Sequence, residues 1–232
     1  MRYLVAVLAA LLGIGSIIVF TVFIYTGPFH LVVLPLNAIE PLLFDAFLAV
    51  LFCLQHSLMV RPWFKQKALT TMPAAYFGAL FSIVSGVVLL LLMALWQEST
   101  VVIASITGGW RWVLRGLFFL VLLLQAWALW SLKSADLFGI EALVKPARAR
   151  SDVILATGAY QWVRHPIYST TLLLLWLYPD ITADRLLLNL LLSVWIIIGA
   201  HYEERDLVRA HGYQYREYQR AVPMLVPRIK RF

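Results

Sequence analysis

Six stretches of the 232-residue chain are apolar, several of them approaching or exceeding the length of a membrane span, and polar residues gather between them. The first runs from Leu4 to Tyr25 without a charged side chain. The second, Leu42–Val60, carries Asp45 near one end and Gln55-His56-Ser57 near the other. A third covers Ala74–Trp96 and a fourth Trp112–Leu132. A helix needs about 20 apolar residues to cross a hydrocarbon core, so these four predict spanning helices. The last two, Pro166–Tyr178 and Leu186–Tyr202, are separated only by Pro179-Asp-Ile-Thr-Ala-Asp184 and predict a tight helical hairpin. The expected fold is an all-α integral membrane protein with about six transmembrane helices, ending in that hairpin and a cytoplasmic C-terminal segment.

Pro166–Tyr178 is short for a span, at about 20 Å of helix against a hydrocarbon core of about 30 Å. Either Tyr160–Arg164 continues the helix, or the Arg164-His165 pair sits below the membrane surface. The last span can instead run past Tyr202 to Arg209. By composition the chain divides near residue 132. Residues 1–132 are apolar helix with short loops, a four-helix scaffold. Residues 133–232 hold a loop over 134–157, the hairpin and the C-terminal segment, and with them nearly all the candidate chemistry. Loops of that length in compact domains usually carry function. Gly139 and Gly158 suit turn or cap positions, and Pro166 suits the first turn of a helix.

Composition agrees with the pattern, since 62% of residues are hydrophobic and only 13% are charged. With the N-terminus in the cytoplasm, 16 of the 19 Lys and Arg residues fall on the cytoplasmic side and three, Arg111, Arg115 and Arg185, on the other. That bias follows the positive-inside rule and predicts two cytoplasmic termini. It also accounts for the net charge of +7, which therefore does not signal nucleic-acid binding and instead favours anionic lipid headgroups. The lone Cys53 lies within an apolar stretch and allows no disulfide within the chain. The N-terminal stretch starts with Arg2 like a signal peptide, but its length and lack of a small-residue cleavage site predict a retained helix.

Charged groups at a membrane boundary are costly without partners, which singles out two clusters. Arg164-His165-Pro166 opens a helix, so free backbone N–H groups, the positive dipole end and a guanidinium converge on one spot that suits a carboxylate or phosphate. A snorkelling Arg beside a helix-starting Pro fits the same residues. Glu203 and Glu204 follow the last apolar stretch, and adjacent helical residues point about 100° apart, so only one of them can face the bundle squarely. The other reaches solvent or an Arg. Within the second span, His56 either contacts a polar group of a ligand or ties two helices together. Haem ligation by His56 and His201 has no other sequence feature behind it, and no metal site is expected. Tyr213, Tyr215 and Tyr218 with Arg216 and Arg220 form a short basic-aromatic helix, read either as a membrane-surface anchor or as a lid over an aromatic ligand. The Val222-Pro223 to Pro227 run cannot be regular helix and is expected to pack extended.

Taken together, Gly158-Ala-Tyr160, Arg164-His-Pro-Ile-Tyr168, Glu203-Glu204, Gly212-x-x-Tyr215-x-x-Tyr218 and Pro223 to Pro227 resemble the membrane-embedded methyltransferases related to isoprenylcysteine carboxyl methyltransferase and the phospholipid methyltransferases. Upstream, Gln55-His-Ser-Leu-Met-Val-Arg61 and Asp136-Leu-Phe-Gly139 are similar to bacterial methanethiol S-methyltransferases and to NnrU-type membrane proteins. The resemblance implies a bacterial inner-membrane protein with S-adenosylmethionine bound at the cytoplasmic face by Tyr160, His165, Pro166, Tyr168, Glu204, Tyr215, Tyr218, Pro223 and Pro227. It further implies Arg164, Glu203 and Glu204 in catalysis, and His56 and Arg164 near a small or lipophilic methyl acceptor. Arg164 would favour a thiolate or orient a carboxylate, and a glutamate would deprotonate an amine. Thr170 stands where many relatives carry Gly, and Ala74-Ala75-Tyr76 where a Glu-Arg pair is common. The first predicts a narrower cofactor pocket, and the second bears on the choice of acceptor. Two other readings remain at this stage: a sterol-reductase-like enzyme using NADPH, and a non-catalytic accessory of the NnrU type.

Overall fold

The computed structural model describes residues 1–37, 39–132, 136–145 and 157–228. Five helices among them are long and apolar enough to cross a membrane, so the chain is a multi-pass membrane protein. The first crosses as one 25-residue span, Arg2–Thr26. It is built from α1 (Arg2–Ala9), a π-helical turn (Ala10–Ile14) and α2 (Gly15–Thr26). The remaining elements are α3 (Glu40–Met59), α4 (Pro62–Ala68), α5 (Ala74–Leu95), β1 (Val102–Ser105), α6 (Gly108–Ser131), α7 (Glu141–Val144), a 3₁₀ turn (Gly158–Gln161), α8 (Pro166–Trp176), β2 (Asp180–Thr182), α9 (Ala183–His211) and α10 (Tyr213–Ala221). The strands form one small two-stranded sheet.

The fifth apolar stretch is present as α8, but with 11 residues it is about 16 Å long. Residues Tyr160–Arg164 do not extend it, because the 3₁₀ turn ends at Gln161. The loop expected over 134–157 lies mostly outside the described residues. Where it is described, it is ordered by α7 and by Asp136, whose carboxylate accepts the backbone N–H groups of Ile140 and Ala142 at 2.9 and 2.8 Å.

The chain forms two compact units, each drawn from several segments. The first takes Met1–Ile103, Ala135–Ala149 and Ile181–Leu192. In it α5 packs on α2, α3 and the π-helical turn, around a core that includes Phe23, Leu48, Leu92 and Met93. The Asp136-Leu-Phe-Gly139 motif docks on α5, with Ser82 Oγ donating to Phe138 O at 3.1 Å. Gly139 is needed there twice over. Its φ is +67°, and a Cβ would lie 2.2 Å from the backbone N of Ala79. Gln55, beside His56, donates to Ser85 Oγ at 3.2 Å, and the His56 ring meets Phe81 edge-on at 4.8 Å. Both ties join α3 to α5, which is the structural role open to these residues from sequence.

A buried polar layer closes one end of this unit. Asp45 Oδ1 accepts the backbone N–H of Gln97 at 3.0 Å, and Asp184 Oδ2 accepts the Trp96 indole N–H at 3.1 Å. Arg185, counted in the sequence among loop cations, is buried and donates to the carbonyls of Phe23 and Ile24 at the C-terminal end of α2. A guanidinium is favoured at that end of a helix, where it adds to the Gly27 N–H already accepted by Phe23 O at 2.9 Å.

The second unit comprises Ala104–Ser134, Arg150–Asp180 and Ser193–Phe232. Here α6 packs along α8, and the contact includes Thr170 Oγ1 donating to Gln125 Oε1 at 2.6 Å. At one end, Asp180 pairs with Arg111 and accepts the Ser105 hydroxyl at 2.6 Å.

Candidate functional site

Within the second unit, every sequence-predicted site residue except His56 lies on a few connected elements. Gly158 starts the construction. Its φ is +56° and a Cβ would meet Ser131 Oγ at 2.3 Å, so the chain turns tightly against the end of α6. Ser131 Oγ then accepts the Ala159 N–H at 3.2 Å and fixes the 3₁₀ turn that carries Tyr160. Pro166 is the first residue of α8, where its missing N–H costs nothing. Arg164 and His165 thereby stand just before the helix.

Arg164 and Glu204 form the centre of the site. Nε of Arg164 donates to Glu204 Oε1 at 2.6 Å and Nη2 to Oε2 at 2.8 Å. The same Glu204 oxygens accept His165 Nε2 and Tyr215 Oη, both at 3.1 Å, and Gln219 Nε2 at 2.7 Å. Five contacts on one carboxylate hold the charge that burial would otherwise penalise. Glu204 as an ionised carboxylate can only accept, so Nε2 of His165 is the donor, and in the neutral form of the ring Nδ1 is then an acceptor. Its ring lies parallel to that of Tyr168, with centroids 5.3 Å apart.

Glu203 faces differently. It accepts the Tyr168 hydroxyl at 2.7 Å, lies 3.8 Å from His165 Nδ1, and keeps 45% of its side chain exposed. Of the two adjacent carboxylates, Glu204 therefore turns into the cluster and Glu203 borders it.

On α10, Tyr215, Tyr218 and Gln219 share the inward face with Val222, while Tyr213 is exposed. Tyr218 Oη donates to Tyr160 O at 2.6 Å. Burial pushes the Tyr218 hydroxyl up to about 12, with Arg164 opposing the shift and Glu204 adding to it. Tyr215 is raised by burial and then by Glu204, and Tyr160 by burial and then by Glu203. These phenols remain donors across the physiological range.

Beyond α10 the chain leaves the helix, as the prolines predict, but it bends at Met224–Val226 where an extended run was expected. The carbonyls of Pro223 and Met224 accept the backbone N–H groups of Arg164 and His165 at 2.9 and 3.1 Å. Leu225 O accepts Ser169 Oγ at 2.7 Å, and Pro227 is exposed. Thr170, expected to narrow the pocket, turns toward α6 instead and spends its hydroxyl on Gln125 and Pro166 O. His201 spends Nδ1 on the carbonyl of Ile197 in its own helix. His56 belongs to the other unit. Two residues escaped the sequence reading, Ser169 and Gln219. The available signal for Gln219 was its spacing, a polar residue four positions after Tyr215 on the stripe that packs inward.

The site is thus a buried carboxylate network at a helix start, edged by stacked rings and held by the C-terminal segment. The class of the protein is given by its relatives. The chain is 36% identical to a methanethiol S-methyltransferase of a Pseudomonas species over 80% of this chain and 73% of that protein. It is 34% identical to methanethiol S-methyltransferase 2 of Bradyrhizobium diazoefficiens, covering 84% of this chain and 76% of the relative. Bovine Nurim is 29% identical over 74% of this chain and 70% of its own length. No family profile matches the chain, and no solved structure does so. The chain belongs to the methanethiol S-methyltransferase family, within the isoprenylcysteine carboxyl methyltransferase-like membrane enzymes, and is a methyltransferase.

Proposed function

We propose that this methyltransferase takes its methyl group from S-adenosylmethionine and transfers it to a small thiol of the methanethiol type at the cytoplasmic face of the bacterial inner membrane. The observation that carries the reading is the 36% identity across 73% of a methanethiol S-methyltransferase. The cluster fits such a cofactor in its chemistry. Glu203 offers a half-exposed carboxylate to a cationic or hydroxylated ligand, and the stacked His165 and Tyr168 rings offer a flat edge to an aromatic one. Tyr160, Tyr215 and Tyr218 line the same region with hydroxyls and rings.

When bound, S-adenosylmethionine supplies an electrophilic methyl group on a sulfonium sulfur. The protein's own part is alignment and exclusion of water, which dominate the barrier of an in-line displacement. A thiol reacts as its thiolate, so its proton must leave. Two acceptor atoms border the cluster for that proton, His165 Nδ1 and Glu203 Oε2, which are 3.8 Å apart. The products are a thioether and S-adenosylhomocysteine. The positive-inside distribution supports cytoplasmic termini, which puts the cluster on the side where the cofactor is made.

Calorimetric titration of the detergent-purified protein with S-adenosylhomocysteine, with NADPH as comparison, tests the cofactor. Binding of S-adenosylhomocysteine alone, together with formation of dimethyl sulfide from methanethiol, is the expected result. Binding of NADPH alone would replace the reading with an oxidoreductase, and binding of neither would sink it.

A further inference from the structure

Five carbonyls of the C-terminal segment, at Gln219, Val222, Pro223, Met224 and Leu225, all receive their hydrogen bonds from residues 164–169. Two of those bonds come from Arg164 Nη1, which donates to Gln219 O at 3.1 Å and to Val222 O. Both acceptors belong to the end of α10, where helix carbonyls lack partners and a positive charge is favoured. Arg164 thus caps α10 with one arm while its Nε and Nη2 hold Glu204. Four of the five N–H groups of the guanidinium are used in this way. Only 9% of the Arg164 side chain is exposed.

Gln219 joins the same closure from the other side. Its carbonyl binds Arg164 and its Nε2 binds Glu204 Oε2 at 2.7 Å, so one residue touches both members of the ion pair. The run after α10 has no N–H at Pro223 or Pro227 and forms no helix or strand of its own. Its place depends on donors from the α8 start.

We propose that Gln219 and Arg164, acting through Glu204, are positioning residues that clamp the C-terminal segment across the start of α8, and that Arg164 therefore serves cofactor retention rather than activation of the thiol. The second clause rests on the S-adenosylmethionine reading; the clamp itself does not. Gln219→Ala removes one charge-assisted contact without opening a cavity in the bundle, and Arg164→Lys keeps the charge but loses the fork geometry.

The test combines ligand affinity, steady-state kinetics and limited trypsin digestion of the detergent-purified full chain. Gln219→Ala weakens S-adenosylhomocysteine binding and raises the KM for S-adenosylmethionine by about tenfold, the scale of one hydrogen bond to a charged group. The kcat at saturation stays within about twofold, since no group in contact with the reacting atoms has changed. The thiol KM and the midpoint of the pH–rate profile do not move, and trypsin cuts after Arg216 and Arg220 faster than in the wild type. Arg164→Lys weakens S-adenosylhomocysteine binding and quickens trypsin cleavage more than Gln219→Ala does, and Gln219→Glu, which sets a like charge against Glu204, also exceeds Gln219→Ala in both. A shifted pH–rate profile or thiol KM at unchanged cofactor affinity would overturn the proposal and return Arg164 to the acceptor. If the wild type binds no S-adenosylhomocysteine, the cofactor reading fails by itself. The clamp is then decided by trypsin, and equal cleavage of wild type and Gln219→Ala overturns it.

Discussion

Glu203 and Glu204 are consecutive on α9 and opposite in environment: Glu204 receives contacts from Arg164, His165, Tyr215 and Gln219, whereas Glu203 receives the Tyr168 hydroxyl and remains 45% exposed. One turn angle separates a group that organises the cluster from one that can meet a ligand.

Their substitutions should therefore part ways. Glu204→Ala strands the Arg164 guanidinium in a nearly closed site and is expected to cost about 3–5 kcal/mol of stability. Glu203→Ala should cost under about 1 kcal/mol, as an exposed position does, while lowering S-adenosylhomocysteine affinity. Chemical unfolding in detergent, paired with ligand titration, reads both. In Arg164→Ala/Glu204→Ala part of the loss should be recovered, because neither charge is left alone.

The tyrosines of the α10 clamp set an alkaline limit. A phenol raised in the folded state keeps its proton where the unfolded chain, with its ordinary value of 10.0, has lost it. The stability that Tyr215 and Tyr218 contribute is thus complete below pH 10 and declines as pH rises from there through about 12. The melting temperature should fall across this window. In Tyr215→Phe and Tyr218→Phe the slope should be shallower, and an unchanged slope would mean that these hydroxyls are not the limiting groups.

At the other end of the second unit the sign reverses. Asp180 is held below the ordinary carboxylate value by its bonds to Arg111 and then by Ser105, against a partial burial penalty. Its contribution is present above about pH 4 and is lost as pH falls through the lowered value. Asp180→Asn should remove that part of the acid-side decline without changing cofactor affinity.

Thr170→Val keeps the shape of the side chain and deletes the hydroxyl bound to Gln125 Oε1. A loss of about 1 kcal/mol is expected, the net value of a buried hydrogen bond. Affinity for S-adenosylhomocysteine should be unaffected, because the side chain faces α6. A tighter-binding variant would show that the hydroxyl does constrict the cofactor.

Gly139→Ala should be among the most damaging single substitutions in the first unit. The new Cβ would meet backbone atoms at 2.2 Å at a position whose φ of +67° already disfavours it. About 2 kcal/mol or more should be lost, visible as a lower melting temperature.

Sequence alone determined the class of the protein. Uninterrupted apolar runs leave the backbone no solvent partner in lipid, so each must close its own hydrogen bonds as a helix, and the long helices fall where the runs do. The punctuation of the last third was equally legible, because Pro166 can only begin α8 and Pro223 and Pro227 can only sit outside a helix. What it left open were matters of direction and partnership. Whether Glu203 or Glu204 faces the cluster turns on about 100° of helix rotation, set by how α9 packs rather than by residue type. Arg164 looked free to meet a substrate, and only the fold brings the end of α10 close enough to occupy its donors. Arg185 and Asp184 read as loop charges, yet the tertiary structure buries them against Phe23, Ile24 and Trp96. Periodicity reports how far a residue lies from the core and says nothing of which distant segment will supply its hydrogen bonds. Those long-range pairings, which join Glu204 to Arg164 and Gln219, are decided only when the chain is folded.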